Sequence, residues 1–292
     1  MIPKEILDKV RRIQILTSRM VTDVMSGHYE SVFKGRGMEF SEVRPYQVGD
    51  DVRAIDWNVT ARTGSPHIKE YVEERELTVM ILFDASTSLD VGTQGKTKRE
   101  IAAELCAVLA FTAVSNNDKV GLIVFTDEVE LFVPPKKGKR HVLRVIREIL
   151  AHETHGRGTD IKGALEYLSR VTKRKTVTFL VSDFLDEGYE RDLSIAKRKH
   201  DLIAMSISDP AEIELMKVPA LLNLIDAESG QEFEVDGWSL GFRRGYAADT
   251  AKDRTRRSEI FKRRGIDTVE LRTDRDYVKP LMTYFKERER RL

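Results

Sequence analysis

A chain of 292 residues, 41% of them hydrophobic, is long enough to bury one large core or a domain with an appendage. Its 49 Lys and Arg stand against 48 Asp and Glu, and a net charge of +1 excludes a global field that would draw a polyanionic partner. The single cysteine, Cys106, excludes an internal disulfide and a cysteine-rich metal site, and fits a core position in a reducing compartment.

In chain order, Ile6, Val10, Ile13, Leu16 and Met20 recur at steps of three and four, the stripe of an amphipathic helix that must dock on a neighbour. Charges interrupt this pattern, so it does not read as a secretory core. No later stretch approaches the roughly 18 apolar residues of a membrane span, and the expected location is cytoplasmic. Residues 27–76, rich in Gly, charge and aromatics, predict loops with short strands.

A different order follows. "LTVMILFD" (77–84) is short, continuously apolar and closed by a carboxylate, as a buried strand should be. "TKREIAAELCAVLAFTAVSN" predicts a helix and "KVGLIVFTD" a second buried strand. "EVELFVPP" alternates like an edge strand stopped by its prolines, and "KRHVLRVIREIL" and "DIKGALEYLSRV" are helical. "KTVTFLVSD" and "DLIAMSISD" are strands separated by the helix "YERDLSIAKRKH", and "DTVELRT" with "YVKPLMTYFKERER" closes the chain as strand and helix. This alternation predicts a doubly wound α/β fold with a mostly parallel, Rossmann-like sheet covered on both faces. Between the last two strands, "LLNLIDAESGQEFEVDG" predicts a hairpin turning near Glu228 to Gly230, an insertion at the sheet margin spanning about 210–245, followed by a charged helix. Residues 1–75 are expected to pack as a helix and extension on a main domain of 76–292.

Ligands of open parallel sheets gather beyond the carboxyl ends of the strands, where the crossover direction switches. Asp84 ends one strand and is followed by Ser86 and Ser88; Asp183 ends another; Thr159 lies in the glycine-flanked loop "HGRGTD", with Asp160 placed to cap the next helix. Hydroxyls and carboxylates without thiols or imidazoles suit a hard divalent cation, Mg2+ before Mn2+ or Ca2+. A shell rich in neutral hydroxyls leaves such an ion electrophilic toward a carboxylate from outside.

"DASTS", the threonine of "GRGTD" and the aspartate of "VSDF" resemble, in order and on matching elements, the metal-ion-dependent adhesion site of von Willebrand factor A domains. That resemblance implies Ser86, Ser88 and Thr159 on the metal, with Asp84 and Asp183 acting directly or through water. Residues 35–64, "GRGMEFSEVRPYQVGDDVRAIDWNVTARTG", resemble the signature of the bacterial domain of unknown function 58. This second resemblance implies a non-enzymatic adaptor or co-chaperone of a MoxR-type AAA+ ATPase, acting on a protein client. Within the signature, charges of alternating sign surround Tyr46 and Trp57. They read either as a salt-bridged, aromatic-plugged clasp on the sheet or as a docking surface using Arg44, Tyr46, Arg53 and Trp57.

Competing chemistries fit less well. The alternative is a metal-dependent hydrolase or phosphatase using the same strand-end carboxylates, but Ser86 stands where an Asp-x-Asp phosphatase keeps its acid–base group. Phosphate-loop and nucleophile-elbow motifs are absent. His152 and His155 lack further metal-ligand partners in sequence, and the basic stretches "PPKKGKRHVLR" and "RRSEIFKRRG" read as solvated faces, not as nucleic-acid sites. The serines and aspartates also have a plainer reading, as turn caps and lysine partners.

Overall fold

The computed structural model describes residues 25–33, 39–72, 76–93, 95–215, 217–228 and 230–291; the stripe from Ile6 to Met20 lies outside them. Part of the stretch expected as loop is helix α1 (Ser26–Phe33). Met25, Tyr29 and Val32, spaced four and three apart, are buried on one face. The Tyr29 hydroxyl donates to Asp118 at 3.0 Å, and Phe33 meets Phe179 edge-on at 6.1 Å. Eight residues are too few to hold a helix alone, so tertiary burial decides the conformation and local propensity is a poor guide to it.

The signature segment folds as an antiparallel ribbon of β1 (Glu39–Pro45) and β2 (His67–Val72), with helix α2 (Trp57–Thr63) between them. Asp56 caps α2 by accepting from the N–H groups of Asn58 and Val59, and Gly64, at φ 75°, ends it in the left-handed conformation that glycine adopts freely.

The main sheet contains β3 (Thr78–Asp84), β4 (Lys119–Phe125), β5 (Val129–Lys136), β6 (Val177–Ser182), β7 (Asp201–Ser208) and a last strand, β10 (Asp267–Arg272). Its spatial order is β10-β7-β6-β3-β4-β5, parallel except for the edge strand β5. Helices α3 (Lys98–Ser115), α4 (Lys139–Ala151), α5 (Ile161–Val171) and α6 (Glu190–Lys199) connect these strands, and after β7 the short α7 (Pro210–Ile213) opens the insertion. The architecture is the doubly wound α/β fold expected from the alternation. Strand β5 continues through Pro134 and Pro135 instead of stopping there. The ladder is irregular between the Leu122–Val133 and Val120–Lys136 pairs, and an edge position with a bulge tolerates the missing N–H.

Alternate residues of β3 serve opposite faces: Val79, Ile81 and Phe83 pack with α1, α3 and α4, whereas Met80 and Leu82 pack with α5 and α6. Cys106 is buried in the first of these layers, as expected.

At the opposite rim His200 is 1% exposed, and its Nδ1 accepts from the Thr176 N–H at 3.3 Å. Burial, then Lys199, lowers its pKa from 6.5 to about 4. Between those values the unfolded chain binds a proton that the folded chain refuses, so this contribution to stability is full above about pH 6.5 and is lost as pH falls toward 4. Urea unfolding of His200→Gln between pH 7 and 5 should therefore show a shallower acid decline than wild type; equal slopes would remove His200 from the account.

The insertion pairs β8 (Leu221–Ile225) with β9 (Glu232–Asp236) as a hairpin, followed by α8 (Leu240–Arg263), and α9 (Val278–Glu289) ends the fold. The turn lies where expected, with the Asp226 N–H donating to the Gln231 carbonyl at 2.8 Å. Its tip is not confined to the sheet margin: the Ala227 carbonyl accepts from Thr87, at the carboxyl end of β3.

Candidate metal centre at the sheet switch point

Strands β3 and β6 are neighbours from which the chain winds outward in opposite directions, so the ends carrying Asp84 and Asp183 flank the switch point. Both carboxylates are buried, at 0% and 2% exposure. Asp84 Oδ1 accepts from the Ser86 N–H at 2.9 Å, which folds "DAS" back on itself, and Oδ2 accepts from the Ser182 hydroxyl at 2.6 Å. Ser86 Oγ lies 3.0 Å from Ser88 Oγ, and the Ser88 hydroxyl donates to Asp183 Oδ2 at 2.7 Å. Three of the five residues read as metal ligands, Ser86, Ser88 and Asp183, thus form one chain of oxygens, and Asp84 is tied to it through the Ser86 N–H.

Asp183 is held from two sides. Its backbone carbonyl accepts from Arg257 at 2.7 Å, and the next residue, Phe184, takes φ 57°. That left-handed conformation costs a non-glycine residue roughly 1–2 kcal/mol, and Phe184 is anchored against Phe261 at 5.1 Å and Tyr189 at 6.2 Å.

Thr159 reaches the same rim by another route. Its loop is tied to the end of β4 where the Asp160 N–H donates to the Thr126 carbonyl at 2.8 Å, and Asp160 caps α5 as expected. The loop joins the "DASTS" turn where the Thr87 N–H donates to the Arg157 carbonyl at 3.1 Å. The Thr159 hydroxyl is not bonded to the serines; it donates to Glu228 of the hairpin at 2.9 Å.

His152 and His155 also shape this loop. Each ring lies within hydrogen-bonding distance of Glu130, whose Oε1 also accepts the N–H groups of His155 and Gly156 at 2.8 Å and the Thr126 hydroxyl at 2.9 Å. Burial opposes the charge on Glu130, but these donors outweigh it and hold its pKa at about 2. Gly156 is required here, because a side chain would run into Thr126 and Asp127.

One buried ammonium lies among the carboxylates of the rim, while the guanidinium groups of Arg99 and Arg257 sit on the backbone carbonyls of Ala85 and Asp183. Lys98, 0% exposed, donates to Asp183 Oδ2 at 2.7 Å and also pairs with Glu212, which α7 presents from a capping box built on Asp209. Desolvation opposes the Lys98 charge, yet Asp183 and Glu212 together raise its pKa. One ammonium therefore serves both Asp183 and Glu212. Burial first, and Asp183 second, push Asp84 up to about 7. Burial likewise raises Glu228, with Asp183 adding to it and the Thr159 hydrogen bond opposing.

Among the described residues, no group of three or more His, Cys, Asp and Glu side chains has the spacing of a metal centre. The donors here are hydroxyls mixed with carboxylates, and they fit a hard cation. Neighbouring ligands of an octahedral ion with bonds near 2.1 Å stand about 3 Å apart, the separation of Ser86 Oγ and Ser88 Oγ. A hydroxyl that turns its proton away can offer the same oxygen to an ion without moving.

Sequence reasoning missed Lys98, Ser182, Glu212, Glu228 and Arg257. Lys98 carried a signal: a lysine directly after the cap residue Thr97 opposes the helix dipole unless acids compensate it. Of the proposed docking residues, Arg44 forms a two-pronged pair with Asp50 at 2.8 Å, as the clasp reading requires, but Trp57 is 67% exposed and plugs nothing against the sheet. Arg53 is exposed and Tyr46 half-buried.

The doubly wound sheet, with hydroxyls and carboxylates at its switch point, is the arrangement that the resemblance to von Willebrand factor A domains implies. The chain belongs to the family described as "Protein of unknown function DUF58", whose model matches residues 42–256. It is 30% identical over 286 residues to "Uncharacterized protein Rv1480" of Mycobacterium tuberculosis, covering 96% of this chain and 89% of the relative. Similar solved structures include the conserved hypothetical protein BatB from Bacteroides thetaiotaomicron, at 16% identity and TM-score 0.46 over 73% of this chain and 99% of that one. Another is proximal thread matrix protein 1 from the mussel byssus, with a zinc-occupied MIDAS motif, at 15% identity and TM-score 0.35 over 46% of this chain and 39% of that one. Among the described residues no helix is long and apolar enough to cross a membrane.

Proposed function

We propose that this chain is a non-enzymatic, metal-dependent protein-interaction module, and that it serves a MoxR-type AAA+ ATPase as adaptor or co-chaperone. Ser86, Ser88 and Thr159 would hold Mg2+, with Asp84 and Asp183 binding it directly or orienting its waters. The bound ion would supply an electrophilic point for a carboxylate of a protein client. The observation that carries this reading is the oxygen chain from Ser86 through Ser88 to Asp183, closed beside Asp84 at the switch point, with its acids in excess over Lys98. The ATPase partnership is what the resemblance of residues 35–64 to the family signature implies. Arg53 and Trp57, exposed on the connection between the two strands of the ribbon, are the docking residues best placed to meet it.

The test is capture of the cognate ATPase and client from lysate on immobilised protein, in Mg2+ and in EDTA. Client capture should need Mg2+ and be lost in the Asp84→Ala, Thr159→Ala double variant. ATPase capture should fall in Arg53→Glu and Trp57→Ala, surface changes expected to alter stability by less than about 0.5 kcal/mol. EDTA-insensitive client capture would contradict the metal-dependent grip, and undiminished ATPase capture by both ribbon variants would contradict their docking role.

A further inference from the structure

The hairpin insertion ends at the candidate metal centre, and what it brings there is a carboxylate. Its tip is fixed on the rim twice: the Thr87 hydroxyl donates to the Ala227 carbonyl at 2.6 Å, and the Thr159 hydroxyl donates to Glu228 Oε1 at 2.9 Å. The second oxygen, Oε2, lies over Gly158, 3.8 Å from where a Cβ would stand, so the loop leaves it room. No Lys or Arg among the described residues pairs with Glu228, and the hydroxyl that holds it, Thr159, belongs to the same proposed ligand set as Asp84 and Asp183. A carboxylate brought to such a place by a dedicated hairpin is accounted for when a cation stands between it and the others. The 2.9 Å from Thr159 Oγ1 to Glu228 Oε1 is also close to the edge of a small octahedral shell.

We infer that Glu228 is an in-chain ligand of the site, taking the coordination position that a partner's acidic side chain would otherwise fill. This rests on the metal-centre reading above. It gives the hairpin a purpose: the free protein satisfies its own ion, and a client must present a carboxylate able to displace Glu228. Client selection then depends on competition between two acids for one position, which disfavours stray acidic surfaces.

The experiment uses Mn2+ as the probe on the full chain. Its affinity is measured by calorimetry, and the number of waters on the bound ion by 17O relaxation. Glu228→Gln should weaken Mn2+ roughly tenfold or more and add about one water, which millimolar acetate then displaces. Glu228→Asp, which keeps the charge but withdraws it by one methylene, should also gain the water, and melting in EDTA verifies that the variants fold as wild type does. If wild type and both variants bind Mn2+ with equal affinity and equal hydration, Glu228 is no ligand and the metal centre stands without it. If wild type binds no Mn2+, the metal-centre reading fails and takes this inference with it.

Discussion

Lys98→Met should cost the fold about 3–5 kcal/mol, the range for removing one partner of a buried ion pair, and lower Tm by roughly 5–8 °C. The expectation follows from where the ammonium lies. It is fully buried against Asp183, itself 2% exposed, and against Glu212, so its removal leaves two acids without a counter-charge. Methionine retains much of the side-chain volume, which limits the packing contribution and leaves charge as the main change. The same reasoning predicts that Mg2+ stabilises this variant more than wild type, because the ion then replaces the ammonium as counter-charge to the Asp183 carboxylate. Thermal and urea unfolding with and without Mg2+ check both statements. A loss below about 1 kcal/mol, or an identical Mg2+ increment in the two proteins, would mean that Lys98 does not govern the charge balance of the rim.

The second large effect is that of the metal itself. A ligand that binds only the folded state stabilises it by about 2.7 kcal/mol at one hundred times its Kd, which corresponds to a rise in Tm of roughly 4–5 °C for a chain of this size. Saturating Mg2+ or Mn2+ should produce such a rise, and EDTA should reverse it. The Asp84→Ala, Thr159→Ala double variant should show none, since it removes the buried carboxylate at the end of β3 and the hydroxyl delivered by the loop before α5. An equal rise in wild type and double variant would place the ion elsewhere on the surface.

The parts of this arrangement that were legible in the sequence are those fixed by local pattern. Asp84 and Asp183 stood out because an apolar strand that ends on a carboxylate delivers it to the sheet rim. Thr159 stood out because glycines bracket it just before a capped helix. Helix α1 was not legible, because Met25, Tyr29 and Val32 become a helical face only through burial against residues far along the chain, Phe285 among them. Glu212 and Glu228 escaped for a related reason. Each sits in an ordinary turn or short helix, and only the path of the insertion between β7 and β10 carries Glu212 to Lys98 at the start of α3 and Glu228 to Thr159 before α5. The plainer reading of the aspartates as lysine partners is realised at Asp183, where Lys98 and the Ser88 hydroxyl share one carboxylate oxygen.

The central claim is that oxygens from separate loops close around one small cation, and the anomalous difference map of a crystal soaked in MnCl2 tests it most directly. The account predicts a single strong peak at the carboxyl ends of β3 and β6, bonded to Ser86 Oγ and Ser88 Oγ and beside Asp84, Asp183 and Thr159. A map without a peak there, in crystals where Mn2+ reaches the rim, would contradict it.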